Sequence, residues 1–425
     1  MKKYLIIFLL SFVSVFGQPN HKRPEFFQKH SFESEIVSIP AKDGLYSVYF
    51  AFRMPYRFLV FEREDDVFDA GFRVTVEIFD EDKNLVKRDI KDRNISVSDF
   101  NETKDHSLFL QDFLNFKLKP AKYKFSTIIS DLNSSGEMPT KTIDLELSKE
   151  KDKIVQHPIV IESQGIICDS SKSFFLANAG GNIPFSPDVF NLVIPVSDTS
   201  IKNLDIEIIN NDTDVFSGNI TESYLLPIGI TLCEDNIALS VDSSNILLKN
   251  FFLKDINQKL NEGEVTLKIS NEEKEIKEEY KQRVVWFNKP FSLMDPEKAI
   301  EYLSYIESDS VISKMLDEDE SDYPKILNEY WKKFDPTPET FYNEIMFEYY
   351  SRIDYANREF RGIGNDNGAK TDRGMIYIKF GKPEKVERIS NPQGQIIEVW
   401  TYVKPERKFS FIDKKGTGNF TLIEQ

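Results

Sequence analysis

Short segments of alternating apolar and polar residues make up much of the first part of the chain. They span residues 45–54, 56–62, 71–80, 84–90 and 122–130, and turns rich in Asp, Asn and Lys separate them. A period of two predicts half-buried strands, and strands joined by short turns predict antiparallel sheets. Residues 71–90 predict a β-hairpin with its turn at 80–84. We therefore expect a β-sandwich module over residues 32–150.

The same alternation returns over residues 151–290. It is clearest in residues 190–196, 204–210, 230–241 and 264–270. Both stretches also place a leucine, a turn and an alternating strand in the same spacing, with Leu118 before Tyr123 and Leu260 before Val265. This spacing is typical of Ig-like sandwiches, in which such a tyrosine packs at a corner between the sheets. The sequence predicts a second, less regular Ig-like module here.

Helical periodicity begins near Asp295. Residues 296–306, 310–318 and 322–334 have helical composition. The clearest helix is predicted from Pro338 to Phe360, with Thr337 as its N-cap. Its buried stripe is expected to contain Phe341, Ile345, Tyr349, Ile353, Ala356 and Phe360.

Strands are predicted again from Met375 onward, beginning with MIYIKF at 375–380. Residues 291–425 thus form a predicted α+β domain, with helices packed on a small antiparallel sheet. The predicted fold class is multidomain: two antiparallel β-sandwich (Ig-like) modules followed by this C-terminal α+β domain.

The first 17 residues predict a secretory signal peptide. Lys2 and Lys3 precede an apolar run from Tyr4 to Val13, and a small residue, Gly17, ends the segment. An uncleaved membrane anchor is disfavoured because this run is short for crossing about 30 Å of hydrocarbon. Residues 18–31 are predicted to be a mobile leader after cleavage. We expect an exported protein of the periplasm or cell surface, with no membrane span after signal cleavage.

The formal net charge of −16 disfavours nucleic-acid binding, because phosphate backbones are repelled by an acidic surface. The two cysteines, Cys168 and Cys233, are 65 residues apart (233 − 168). A disulfide between them would stabilise an exported protein by about 3–5 kcal/mol, and two buried thiols are the alternative. Neither cysteine has a CxxC or histidine neighbour, so zinc is disfavoured. No metal or cofactor is predicted.

The segment KTDRG at 370–374 is the natural candidate for a site. Thr371 and Asp372 are expected between a loop and a strand, where their side-chain oxygens can cap backbone amides. In the alternative interpretation, Asp372 serves as an acid, a base or a metal ligand. Arg373 would then bind a carboxylate or a sugar acid, whereas in the capping interpretation it forms a surface or semi-buried pair. The candidate interaction loop consists of Asn365, Asp366, Thr371, Asp372 and Arg373.

Three functions stay open from these residues. The first is a non-enzymatic protein that binds a protein or an envelope component. The second is a carboxylate-based glycan- or peptidoglycan-acting enzyme, in which Glu344 or Glu348 faces Asp372 at the roughly 5–10 Å that glycosidases need. The third is a periplasmic chaperone or assembly factor that adds a strand at an open sheet edge. All four histidines lie before residue 158, which excludes a histidine-based triad in the C-terminal third.

Ordered signatures along the C-terminal third resemble one bacterial family. They are Trp331 with DPTP at 335–338, NE at 343–344, YAN at 355–357, TDRG at 371–374, FGKP at 380–383, EVW at 398–400 and F-x-F-x-D at 409–413. In these signatures the chain resembles the GWxTD domain proteins. In the motif that names them, Gly368, Thr371 and Asp372 match and Ala369 replaces the tryptophan. The resemblance implies an exported protein with β-rich N-terminal modules, and it assigns no catalytic or binding residue.

Overall fold

The structure is a computed structural model that describes residues 32–105, 108–149, 153–168, 171–177, 181–364 and 367–424. The predicted signal peptide and the leader at 18–31 lie outside the described residues. The fold is mostly β, as predicted, with several sheets and a few C-terminal helices. None of the helices in the described ranges has the length and apolarity that a membrane crossing requires.

Residues 33–146 form two antiparallel sheets around one hydrophobic core. Their strands are β1 (Glu33–Pro40), β2 (Tyr46–Pro55), β3 (Glu62–Glu64), β4 (Val67–Phe79), β5 (Leu85–Val97), β6 (Phe109–Leu118), β7 (Lys122–Asp131), β8 (Glu137–Pro139) and β9 (Ile143–Glu146). Strands β1, β2 and β6 make the first sheet, and the other six make the second. Phe50 of β2 stacks on Phe125 of β7 across the core, with ring centroids 6.2 Å apart. The predicted hairpin is confirmed, because β4 pairs with β5.

Residues 159–285 form two further sheets. Their strands are β10 (Ile159–Cys168), β11 (Ser171–Leu176), β12 (Ile183–Pro184), β13 (Phe190–Val196), β14 (Leu204–Asn210), β15 (Thr213–Ile220), β16 (Ser223–Leu226), β17 (Ile228–Cys233), β18 (Asn236–Val241), β19 (Leu248–Leu253), β20 (Gly263–Asn271) and β21 (Ile276–Val285). Seven strands pair in the order β16-β19-β13-β10-β11-β18-β17, and five in the order β12-β21-β20-β14-β15. Buried residues of both sheets, such as Ile194 and Leu267, join one core.

The three-stranded sheet packs its outer face on the seven-stranded sheet. Val37, Ile39 and Tyr49 meet Ile161 and Ile230 in a separate apolar cluster. A polar contact crosses the same interface, where the Ser47 hydroxyl donates to Asn245 Oδ1 over 2.5 Å. Both residues are fully buried, and the Tyr49 hydroxyl also donates to Asp242 over 3.0 Å, so polar contacts add directional specificity to the apolar cluster.

Cys168 ends β10 and Cys233 ends β17 within the seven-stranded sheet. Their Cα atoms are 5.9 Å apart, a separation that suits a disulfide, and the structure joins the two sulfur atoms. Both side chains are buried against Ala238.

The C-terminal part consists of five short helices and one antiparallel sheet. The helices are α1 (Pro296–Tyr302), α2 (Asp309–Leu316), α3 (Tyr323–Trp331), α4 (Glu344–Glu359) and α5 (Asp372–Phe380). The sheet has the order β22-β23-β24-β25, with β22 (Lys385–Ser390), β23 (Ile396–Val403), β24 (Glu406–Asp413) and β25 (Thr421–Glu424). These elements share one continuous core with the sheets of residues 159–285.

Helix α4 begins later than its sequence pattern predicts. Asn343 is the N-cap, since its side chain accepts a hydrogen bond from the Met346 N–H over 2.8 Å. The predicted start at Pro338 is wrong because residues 338–342 form turns instead. Phe341 and Ile345, expected in the buried stripe, are 54% and 44% exposed.

The segment MIYIKF forms most of helix α5, and the prediction of a strand there is wrong. Thr371 caps the helix, because its hydroxyl accepts from the Gly374 N–H over 3.0 Å. Gly381 ends the helix with a φ of 77°, a conformation that glycine adopts without strain. Ile376, Tyr377 and Ile378 are all buried, so this short apolar run fits a buried helix as well as a strand.

Candidate functional site

The naming motif packs directly against helix α4. Gly368 opens a short 3-10 turn, and a Cβ added to it would lie 2.1 Å from the carbonyl oxygen of Ala356. A Cβ on Gly374 would lie 2.1 Å from the carbonyl oxygen of Gly368. Both contacts are with backbone, which has little room to move, so only glycine fits at these positions.

Asn357 of the YAN signature binds the same turn. Its Oδ1 accepts a hydrogen bond from the Ala369 N–H over 3.2 Å, and its Nδ2 donates to the Tyr302 hydroxyl over 3.3 Å. Ala369 is fully buried, in the place where the family motif has tryptophan. Two signatures that are 12 residues apart in sequence are therefore one packing unit.

Asp372 holds helix α5 against the C-terminal sheet. Its Oδ2 accepts a hydrogen bond from the Leu422 N–H of β25 over 2.7 Å. A carboxylate in the first turn also interacts favourably with the helix dipole. This side chain thus has a structural role in joining two elements.

Arg373 is buried and forms an ion pair with Glu398. Its guanidinium carbon lies 4.0 Å from the ring centroid of Phe420 and 5.1 Å from that of Phe360. Its nitrogens donate to Glu398 Oε1 over 3.3 Å and to the Gly418 carbonyl over 3.2 Å. Burial lowers the pKa of this guanidinium, and the Glu398 carboxylate opposes that effect.

Glu398 is the carboxylate that Arg373 and two further residues contact, and the sequence patterns do not single it out. Its carboxylate also accepts from Arg388 Nε over 2.7 Å and from Trp400 Nε1 over 2.8 Å. Burial acts to raise the pKa of Glu398, but these bonds and the two arginines outweigh burial and hold the pKa below its usual range. The sequence feature that could have identified this residue is the presence of a glutamate inside the apolar strand IIEVWTYV, at 396–403.

The candidate loop therefore divides into two parts. Thr371, Asp372 and Arg373 are each engaged by contacts that stabilise the fold, while Asn365 and Asp366 lie outside the described residues. Across the ranges that the structure describes, His, Cys, Asp and Glu side chains form no group of three or more that would hold a metal ion.

Glu344 and Glu348, the other two carboxylates of the enzyme hypothesis, lie on helix α4 and each has a partner of its own. Asn357 contacts Ala369 near Asp372, while Glu344 precedes Asn357 by 13 residues on helix α4, or about 20 Å along the axis at about 1.5 Å per residue. Glu348 precedes it by 9 residues, or about 13 Å. Glu344 accepts from the Thr337 hydroxyl over 3.0 Å, and Glu348 pairs with Arg352 over 2.7 Å.

A cavity of about 590 Å³ lies elsewhere, between the second pair of sheets and the helices. One wall comes from loops next to β12, β20 and β21, and the other from helix α3, the DPTP segment and the start of α4. The lining residues are Phe185, Asn261, Glu262, Trp286, Lys325, Asn328, Glu329, Trp331, Lys332, Asp335, Pro338, Glu339, Thr340, Phe341, Asn343 and Met346. We call this space the junction cavity.

Aromatic side chains form much of the junction cavity. Trp286 packs between Phe185 and Tyr342, with ring centroids 5.2 and 5.5 Å away. Its indole N–H is buried and has no hydrogen-bond partner among the described residues. Phe341 is the exposed aromatic residue of this lining.

Signature residues from the family motifs thus occupy two places. Inside the C-terminal fold, Asn357 of YAN binds the turn of the naming motif, and Arg373 of TDRG binds Glu398 of EVW. Other signature residues line the junction cavity, namely Trp331, Asp335, Pro338 and Asn343.

Residues 269–424 match the family model of the GWxTD domain, from the end of β20 through β25. A search of curated proteins finds no match to the chain. The resemblance of the C-terminal signatures to the GWxTD family is confirmed, and residues 269–424 of this chain are a GWxTD domain.

Proposed function

We propose that this protein is an exported, non-enzymatic binding protein of the bacterial cell envelope, and that its partner enters the junction cavity. In this proposal, two Ig-like β-sandwich modules over 32–150 and 151–290 support the C-terminal α+β domain. One observation carries the proposal: the cavity is built jointly by the second pair of sheets and the GWxTD helices, and the signatures around DPTP line it.

The dimensions and lining of the junction cavity support a binding role. Ligand pockets commonly measure about 300–1,000 Å³ and combine aromatic walls with a few polar groups. The unpartnered N–H of Trp286 is a donor with no accepting ability. An unpaired buried donor costs about 1–3 kcal/mol, which an accepting oxygen on a bound partner would offset once a shift of the lining exposes the N–H.

Charge at the junction cavity favours a neutral or basic partner. Four acidic side chains line it (Glu262, Glu329, Asp335 and Glu339), against two lysines (Lys325 and Lys332). The chain as a whole is also acidic, at −16. Polyphosphates are disfavoured at such a surface. The proposed partner is a protein or a neutral or basic envelope component.

The carboxylate-based enzyme has less support. Glu344 and Glu348 precede Asn357 by about 20 and 13 Å along helix α4, whereas Asp372 lies beyond the turn that Asn357 contacts. A glycosidase pair needs about 5–10 Å between carboxyl groups.

Affinity capture from bacterial envelope extract tests the proposal. We expect the wild-type protein to retain a specific component and F341D to lose it, because a carboxylate at this exposed lining position would disfavour an apolar contact. The matched control is F100D, at an exposed phenylalanine of the first pair of sheets, and it should retain the component. Failure to capture any component, together with measurable turnover of an envelope polymer, would contradict the proposal.

A further inference from the structure

Strand β22 is an exposed edge of the C-terminal sheet. It pairs with β23 on one side, and no other strand in the described ranges pairs with it. All six of its residues, Lys385–Ser390, are exposed. Val386 and Ile389 are apolar and yet 50% and 55% exposed. Such an edge presents unpaired backbone groups that favour the addition of another strand.

The sequence around β22 is complementary to itself in one antiparallel arrangement. In a two-fold symmetric pair with Val386 opposite its own copy, Lys385 lies opposite Glu387, and Glu384 lies opposite Arg388. Each of these pairs occurs twice, so four opposite-charge pairs flank one apolar pair. Directly opposite residues in antiparallel strands are about 4.5–5.5 Å apart at Cβ, close enough for these contacts.

The charged groups are placed to make these contacts. Glu384 continues the line of the strand, since its N–H donates to the Thr401 carbonyl over 3.1 Å. The Lys385 and Glu387 side chains are 64% and 47% exposed and pair with each other over 2.8 Å, so in the dimer each would exchange this partner for its counterpart on the second copy. The Arg388 side chain is 69% exposed. Arg388 contacts Glu398 through Nε, and its guanidinium has further donors for a second carboxylate.

Neighbouring registers are unfavourable. A two-fold axis at Lys385, Glu387 or Arg388 would place a like charge opposite itself, which destabilises a strand pair. An axis at Ile389 would place Arg388 opposite Ser390 and Glu387 opposite Asn391, without opposite-charge pairs. Charge therefore selects the register centred on Val386.

We propose that the protein forms a two-fold symmetric homodimer in which β22 of one copy pairs antiparallel with β22 of the other, centred on Val386. The two C-terminal sheets then become one continuous eight-stranded sheet (4 + 4). This proposal rests on a different surface from the junction cavity, and either can fail without the other.

Charge exchange gives a sharp test by sedimentation analysis of the purified protein. The wild type is expected to show a concentration-dependent monomer–dimer equilibrium. K385E places Glu opposite Glu, and E387K places Lys opposite Lys, so each variant alone should dimerise at least tenfold more weakly. An equimolar mixture restores both opposite-charge pairs and should dimerise as the wild type does. Circular dichroism checks that both variants, at exposed positions, remain folded.

Disulfide trapping tests the register independently. V386C would place two thiols opposite each other, and mild oxidation should give a covalent dimer. I389C is the matched control, since the two copies of residue 389 would be offset by six residues, or about 20 Å. A wild type that stays monomeric at every concentration, a mixture that does not restore the dimer, or equal trapping of both cysteine variants would overturn the proposal.

Discussion

Asn357 in helix α4 accepts a hydrogen bond from the backbone N–H of Ala369, 3.2 Å away. This bond joins the YAN signature to the motif that names the domain. It places the turn before helix α5 against the last turns of α4, where Gly368 allows the backbones to meet. The YAN signature and the naming motif therefore stabilise the domain, and the junction cavity, which other signature residues line, is the better candidate for binding.

Replacing Asn357 should destabilise the C-terminal domain. N357A leaves the Ala369 N–H buried without its acceptor, and the expected loss is about 1–3 kcal/mol in the free energy of unfolding. N357D keeps an acceptor and should lose less. Urea unfolding followed by tryptophan fluorescence measures this, because all three tryptophans, Trp286, Trp331 and Trp400, lie within residues 269–424. An N357A curve that overlays the wild type would refute the role of this bond.

Gly368 should tolerate no side chain. The added Cβ of G368A would meet the Ala356 carbonyl oxygen at 2.1 Å, so helix α4 or the turn must shift. We expect a loss of about 3 kcal/mol, the upper range for overpacking. K370A, at an exposed position in the same turn, is the control and should stay within about 0.5 kcal/mol of the wild type. Equal stability of the two variants would show that the turn is not packed as described.

The ion pair between Arg373 and Glu398 should make stability depend on pH. The pKa of Glu398 is held below its usual range in the folded protein, so its stabilising contribution is present above about pH 4.3 and disappears as pH falls through the folded-state pKa. E398Q should lose about 3 kcal/mol at pH 7, because it leaves the buried guanidinium without its counter-charge. The deficit should shrink as pH falls from 5 to 3. A deficit that is constant over this range would contradict the assignment.

Cys168 and Cys233 should be linked in the protein purified under oxidising conditions. A 65-residue loop closed by a disulfide stabilises by about 4 kcal/mol in the chain-entropy model. The double variant C168A/C233A should therefore melt at a lower temperature, as followed by circular dichroism. Alkylation of the denatured, unreduced protein should modify neither cysteine. Modification of both would show that the thiols are free.

Periodicity predicted the strands well and the last helices less well. In β4, Arg73, Thr75 and Glu77 alternate with apolar residues at 72, 74, 76 and 78, and this strand forms the predicted hairpin with β5. MIYIKF has no polar residue before Lys379, so its pattern distinguishes a buried strand poorly from a buried helix. The deciding feature is Thr371, which caps the helix. Likewise, Asn343 and not Thr337 is the N-cap of helix α4.

The candidate site was harder to predict because it depends on contacts between distant residues. The sequence singles out Thr371, Asp372 and Arg373 as candidate residues. It does not reveal that Arg373 is buried against Glu398, which is 25 residues away. The junction cavity combines Phe185 with Phe341 and Trp286. No local pattern brings such residues together, since only the packing of sheets on helices does.

Site-specific photo-crosslinking in envelope extract distinguishes the junction cavity from the loop before TDRG as the place where a partner binds. A photoreactive residue is placed at Phe341 in one variant and at Ile363, which is 77% exposed, in the other. We expect a specific partner to be crosslinked from position 341 and not from 363. Crosslinking from position 363 alone, with D372N abolishing it and F341D leaving it intact, would refute binding at the junction cavity.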